Sequence, residues 1–331
     1  MLEVALDTSP LALTRAGTAR YLNGLLAGLE HEPGIRIVRR AFTLPGRLSV
    51  PLRDVGWYLG VLPLLARGAD VLHCPTFRAP VTSPLPIVVT VHDLAVLRHP
   101  QTFNAWSRRY AKLLLPRVLR AAARVIAVSQ FTASELVDVL AVPQEKIRVI
   151  PNGVGEPFTS EGAAAAGDYV LAVSTLEPRK NLERLLEGFR RANLNGCELR
   201  VVGTRGWGDV SLPVAEDVRW LGEVSDEDLA RLYRGARCAA YTSLYEGFGL
   251  PVLEAMACGT PVVSSDLPPV REFARGVIRV DGNDPDAIAA GLGEALARRD
   301  ELGRRGRQAA RDYDWKRVAR ETAAVYREVA A

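Results

Sequence analysis

Lysine is almost missing from this chain: of 42 basic residues only 4 are lysine, and Lys180 is the only one between positions 147 and 315. The arginine bias reads as genome composition, but it makes each lysine easy to notice. Cysteine is also rare, four residues at 74, 197, 238 and 258 with no C-x-x-C spacing. That excludes a zinc ribbon or a disulfide framework and implies reduced, buried thiols. No apolar run reaches about 18 residues, the length a membrane span needs. Residues 1–30 lack the basic start, apolar core and small-residue cleavage site of a signal peptide, so the expectation is a cytoplasmic protein, neither secreted nor membrane-spanning. The net charge of +4 and pI near 9.0 are too mild to argue for nucleic acid and suit an anionic small molecule or an anionic membrane surface. No Gly-x-Gly-x-x-Gly follows a strand: the nearest cluster, Gly203, Gly206 and Gly208, has the wrong spacing, which counts against a nicotinamide dehydrogenase. A Gly-x-Ser-x-Gly elbow is absent as well. Asp-x-Asp pairs occur at 226/228, 284/286 and 312/314, each where a helix begins, so capping explains them better than a divalent ion and no metal site is expected.

What is present is an alternation of short aliphatic runs with helical periodicity, the pattern of parallel sheets with crossover helices. Strands are predicted over 3–7, 35–39, 70–74, 87–92, 124–129 and 146–150, and again over 169–174, 198–203, 218–221, 238–243, 260–264 and 277–280. At 331 residues the chain exceeds one ordinary domain. Residues 155–167 hold Pro157, Thr159, Ser160 and a Gly/Ala tract without strand signal, so the linker is expected there. The α/β chain then divides into a Rossmann-like domain over 1–160, a second over 168–312, and a last helix within 313–331.

The most informative run is residues 246–263, EGFGLPVLEAMACGTPVV. Pro251 suits the first turn of a helix, so the amides of Gly247, Phe248, Gly249 and Leu250 would gather at its N-terminus as an anion cradle. Glu254, farther along that helix, offers an acceptor-only carboxylate suited to two neighbouring hydroxyls, such as those of a ribose. Gly259 reads as the helix stop. A second cluster, Arg179-Lys180-Asn181, opens a helix just after the strand ending near 174. Cations oppose the positive end of a helix, so their placement there implies an anion sharing the site. His92 ends the strand 87–92 at a carboxyl edge, where open α/β sheets bind ligands, although a lone histidine is more often structural. His73, at the end of the strand 70–74, has the same two readings.

These residues together resemble the E-x7-E motif and flanking signatures of retaining GT-B glycosyltransferases, in particular glycosyltransferase family 4. The likeness extends beyond the two glutamates. Val149-Ile150-Pro151-Asn152-Gly153-Val154 is similar to the family's end-of-domain signature, and Leu221-Gly222-Glu223-Val224 to its phosphate-loop segment. The resemblance implies two Rossmann-like domains facing a central cleft, with the last helix returning to the first domain. It implies a metal-independent hexosyltransferase with no cofactor, taking a nucleoside diphosphate sugar as donor, GDP-mannose being favoured by the Glu-Pro-Arg-Lys-Asn wording. The acceptor hydroxyl would belong to a glycan, a lipid-linked or a small molecule. His92, Arg179, Lys180 and Glu246 are then the catalytic residues. Gly17, Gly222, Val224, Gly247, Phe248, Gly249, Leu250 and Glu254 bind the donor. Two departures stand out: Thr175 occupies the position of the family's usual arginine, and Ala19 replaces the second glycine of the first βα loop. The alternatives are a nucleotide-sugar epimerase of similar fold and a catalytically silent nucleotide-binding subunit. Residues 106–120 combine Trp106, Tyr110 and leucines with Arg108, Arg109, Lys112, Arg117 and Arg120. That mixture fits either the interface of an anionic bilayer or an ordinary crossover helix interrupted at Pro116.

Overall fold

The computed structural model describes residues 1–13, 17–44, 50, 52–204 and 216–331. The chain forms two compact units, one of residues 1–98, 104–153 and 314–331, the other of residues 99–103 and 154–313.

The first unit holds a six-stranded parallel sheet of β1 (Leu2–Asp7), β2 (Ile35–Arg40), β3 (Val71–Cys74), β4 (Ile87–Val91), β5 (Arg124–Ala127) and β6 (Ile147–Val149), in the order β2-β1-β3-β4-β5-β6. The second holds β7 (Tyr169–Val173), β8 (Glu198–Val202), β9 (Val218–Gly222), β10 (Cys238–Tyr241), β11 (Val262–Ser265) and β12 (Val277–Val280), in the order β12-β11-β10-β7-β8-β9. Central strands β3, β4, β10 and β11 are buried along their whole length, as strands covered by helices on both faces must be. Every strand expected from the sequence is present, with ends shifted by a residue or two. In the second unit the chain runs outward from β7 through β8 to β9, then returns to the other side of β7 as β10. That reversal is a topological switch point, and the loops after β7 and β10 meet there.

The expected linker at 155–167 belongs instead to the second unit. Its carbonyls are gathered by one guanidinium: Arg234, on the helix Asp226–Gly235, donates to Pro157 O, Thr159 O and Ala163 O at 3.2, 3.1 and 2.8 Å. Phe158 packs against Tyr233, and Ala165 N donates to Arg231 O. A Gly/Ala tract reads as slack because its only polar groups are backbone, and nothing in it announces a distant arginine. Nor is the first unit continuous: His99, edge-on to Tyr245 at 5.2 Å, joins the second with residues 99–103.

The helix Trp315–Ala330 clusters with the first unit. Its Val318, Ala319, Ala323, Val325 and Tyr326 share one core with Tyr21, Leu22, Leu25, Leu26 and Leu29 of the helix Gly17–Leu29. The approach needs glycine, since a Cβ on Gly24 would lie 2.1 Å from the Trp315 ring. Residues 106–120 form the ordinary crossover reading: helices Ala105–Leu113 and Leu115–Ala121, with Leu115, Val118 and Leu119 in the core. Trp106, half-buried, donates to buried Asp54 at 2.9 Å, and Tyr110 is buried. Among the described residues no helix is long and apolar enough to cross a membrane.

Candidate active site

Val173 ends β7, and the chain turns through Ser174–Leu176 into Glu177 and the 3-10 turn Pro178–Lys180. The α-helix begins only at Leu182, because Asn181 adopts φ +58 and interrupts it. Arg179 and Lys180 therefore precede the helix rather than open it. Asn181 is buried and its side-chain amide donates to Thr242 O at 3.2 Å and Gly282 O at 2.6 Å, tying the loop after β7 to the ends of β10 and β12. Leu244 N donates to Arg179 O at 2.9 Å. By these bonds the loops after β7 and β10 are fixed to each other, and Glu246 meets both cations.

Lys180 Nζ lies 2.5 Å from Glu246 Oε1, and Arg179 Nη1 lies 3.2 Å from Glu246 Oε2. Arg179 also donates to Tyr245 O at 2.5 Å and to Glu177 Oε1 at 2.7 Å. The four charged side chains are nearly enclosed, from 5% exposed at Glu177 to 12% at Lys180. Two carboxylates thus balance two cations, and the anions that the sequence reading demanded beside Arg179 and Lys180 are supplied by the chain itself. Burial opposes ionisation of Glu246, but Lys180, Arg179 and a hydrogen bond from Ser243 overcome it and hold its pKa down at about 2. Lys180 also stands 5.7 Å from the centroid of the Tyr241 ring, whose hydroxyl is held well above its ordinary pKa by burial and by Glu246.

Gly249 caps the helix Leu250–Ala257 at φ +114, a conformation in which glycine avoids the Cβ penalty, and Pro251 fills the first turn. Phe248 does not present its ring: it is stacked on Phe273 at 4.6 Å and 18°, leaving only backbone for a ligand. Leu250 is buried likewise, and Gly247 stands beside Glu246 in the same loop. Glu254 is 1% exposed and accepts from Tyr233 Oη at 3.2 Å, so its carboxylate is packed inward, against the helix Asp226–Gly235. Gly222 (φ +71) ends β9 and Val224 follows it, on the same carboxyl edge but two strands from β7. Ser225 caps the next helix, and Asp284 and Asp314 cap theirs.

In the first unit, His92 follows β4. Its Nε2 lies 2.9 Å from Pro75 O, which can only accept, so Nε2 carries the proton. Burial lowers its pKa, and the neutral ring leaves Nδ1 as an acceptor. His73 is a different case. Both its nitrogens are engaged, Nδ1 with Tyr326 Oη at 2.6 Å and Nε2 with Thr90 Oγ1 at 2.9 Å, and burial with His92 nearby drives its pKa to about 3. It belongs to a buried polar chain that ends at Tyr21, whose ring stands edge-on to His92 at 4.8 Å. Gly17 begins its helix in this unit. Gly206 and Gly208 lie outside the described residues. Sequence reasoning missed Glu177, Ser243, Tyr241 and Tyr233. Only Glu177 carried a local signal, a carboxylate two residues before Arg179.

Residues 17–155 match the family model for Glycosyltransferase Family 4 and residues 158–313 that for Glycosyl transferases group 1. The O-antigen chain mannosyltransferase B of Escherichia coli is 32% identical, over 92% of this chain and 82% of that protein. The O-antigen chain mannosyltransferase RfbU of Salmonella typhimurium is 29% identical, over 70% of this chain and 68% of that protein. Among solved structures, Anabaena HepE in complex with UDP and glucose aligns with a TM-score of 0.77 at 17% identity, over 98% of this chain and 99% of that one. Sucrose-phosphate synthase from Thermosynechococcus elongatus gives 0.76 at 19%, over 99% of each chain. The two parallel six-stranded sheets are the two Rossmann-like domains of the GT-B fold, and the family models and the mannosyltransferase relatives make the protein a glycosyltransferase. The chain belongs to glycosyltransferase family 4.

Proposed function

We propose that this enzyme transfers mannose from GDP-mannose to an acceptor hydroxyl with retention of anomeric configuration, and without a metal ion. The observation that carries the reading is Lys180, Arg179 and Glu246 converging where the strand order of the second sheet reverses. As the glycosidic bond breaks, negative charge grows on the departing diphosphate. A preorganised ammonium and the amides at the Leu250–Ala257 helix start stabilise that charge more than they stabilise the intact donor. Glu246, released from Lys180 by the diphosphate, accepts from hydroxyls of the transferred sugar. Glu254 takes the ribose hydroxyls by sharing its carboxylate between them and Tyr233. His92 offers Nδ1 to a sugar hydroxyl. The acceptor's proton leaves with the departing phosphate oxygen, so no enzymatic nucleophile is needed. The mannosyltransferase relatives support the choice of sugar, and the HepE complex supports a nucleoside diphosphate donor for this fold.

The test is a thermal-shift panel of GDP, UDP, ADP and their sugars, followed by product analysis. A ligand at a hundredfold excess over its Kd adds about 2.7 kcal/mol to stability. A shift with GDP and GDP-mannose alone is expected, and no shift with any nucleotide would overturn the reading. Conversion of GDP-mannose to another sugar nucleotide without acceptor would mean an epimerase instead.

A further inference from the structure

We propose that Glu177 is a positioning residue for sugar transfer: it anchors Arg179 from the side opposite Glu246, so that Arg179 orients Glu246 while Lys180 is the cation that meets the donor diphosphate. The proposal rests on the donor-site reading above.

The two ends of the Arg179 guanidinium are held by Glu177 Oε1 at 2.7 Å on one side and by Tyr245 O at 2.5 Å and Glu246 Oε2 at 3.2 Å on the other. Its own carbonyl accepts from Leu244 N, so residue 179 is joined to the segment 244–246 by both backbone and side chain. A planar fork held on a carboxylate at one end and on a carbonyl and second carboxylate at the other has little freedom to turn toward a phosphate. Turning would also leave Glu177, 4% exposed, as a buried carboxylate without its ion pair. Lys180 is built differently. Its ammonium carries three donors on a flexible stem, and its bond to Glu246 is one that a diphosphate oxygen can replace without disturbing the backbone.

Glu177 matters because of what Arg179 would do without it. Without Glu177, the fork would draw the Glu246 carboxylate into a two-pronged pair and away from Lys180. Glu246 would then point along Arg179 instead of toward the sugar. Glu177 divides the hold on Arg179 between two carboxylates and leaves Oε1 of Glu246 to Lys180.

Glu177→Gln keeps the volume and one acceptor oxygen but removes the charge. With folding checked by thermal unfolding, we expect kcat to fall tenfold or more while the Kd for GDP, measured by calorimetry, stays within threefold of wild type. Glu177→Asp, which keeps the charge, should retain more activity than Glu177→Gln. A role in shape alone predicts the opposite order. In the double variant Glu177→Gln/Arg179→Gln, kcat should be no lower than in Arg179→Gln, because the two act as one unit. Near-normal kcat in Glu177→Gln, or additive losses in the double variant, would overturn the proposal. Should Glu177→Gln not fold, Arg179→Lys carries the test: kcat tenfold lower with GDP affinity within threefold supports it, and a tenfold loss of GDP affinity refutes it. Lys180→Ala separates the two readings. Unchanged GDP affinity there would remove the donor site itself, whereas weakened affinity beside a silent Glu177→Gln would remove only the positioning role.

Discussion

Replacing Glu246 by glutamine should cost the fold measurable stability, and the amount can be worked from the site. Glutamine imitates a permanently protonated glutamic acid. The folded protein holds the Glu246 pKa at about 2 against an ordinary 4.5, with Lys180 and Arg179 overcoming the burial that opposes ionisation. At about 1.4 kcal/mol for each pKa unit, the charged form contributes about 3 kcal/mol at neutral pH. A pKa depressed in the folded state gives stability that is present above the unfolded value and lost as pH falls toward the folded one. Wild type should therefore lose under about 1 kcal/mol from this group by pH 4 and about 2 kcal/mol by pH 3, while the variant loses none of it. The deficit of Glu246→Gln is largest at pH 7 and shrinks on acidification. Urea titrations at pH 7, 5, 4 and 3 measure it, urea being uncharged and so leaving the ion pairs unscreened. By calorimetry the transition of the second unit should fall by about 6–12 °C at pH 7, as expected for a unit of this size. A deficit below about 1 kcal/mol at pH 7, or one that stays constant down to pH 3, would refute the charge balance described for the site.

The other predictions address separate groups. Lys180→Ala should weaken GDP binding and lower kcat strongly without altering the fold, and full activity would place the phosphate site elsewhere. Glu254→Ala should weaken nucleotide binding by about 1.5–3 kcal/mol, the worth of charge-assisted hydrogen bonds. Unchanged affinity in that variant would leave Glu254 as no more than the acceptor for Tyr233. Gly24→Ala should destabilise the first unit by at least about 1–3 kcal/mol through collision with the Trp315 ring. Adding Trp315→Ala should relieve that part of the cost, and additive losses in the double variant would disprove the contact. Activity after dialysis against EDTA should equal that before it, and a loss restored by a divalent ion would overturn the metal-free proposal.

The strand pattern was legible because short aliphatic runs between helical segments have few other uses, and every strand so predicted appears among the described residues. The E-x7-E run was legible for a different reason: Gly249 and Pro251 are demanded by backbone geometry, and such demands are written in residue type. Side-chain partners across the chain left no such trace. Nothing local tells that Phe248 stacks on Phe273, or that Glu254 turns to Tyr233. Cations at residues 179 and 180 did signal a nearby anion. The inference failed to foresee that Glu177, two residues away, and Glu246, at the far loop, supply two of them. Segment 155–167 misled because a tract without strand or helix periodicity resembles a linker even when Arg234 binds its carbonyls.

The Trp315–Ala330 helix also sets an order on synthesis. The half of the first unit's core that contains Val4, Leu6 and Tyr21 is completed only by Val318, Ala323 and Tyr326, contributed from the far end of the chain. The second unit needs nothing beyond Tyr313. On the ribosome, the domain that emerges first is thus the one that finishes last. Until that helix is made the sheet must persist with the helix's seat exposed to water, and a released chain truncated after Tyr313 should engage holding chaperones through that face while its second unit is protease-resistant.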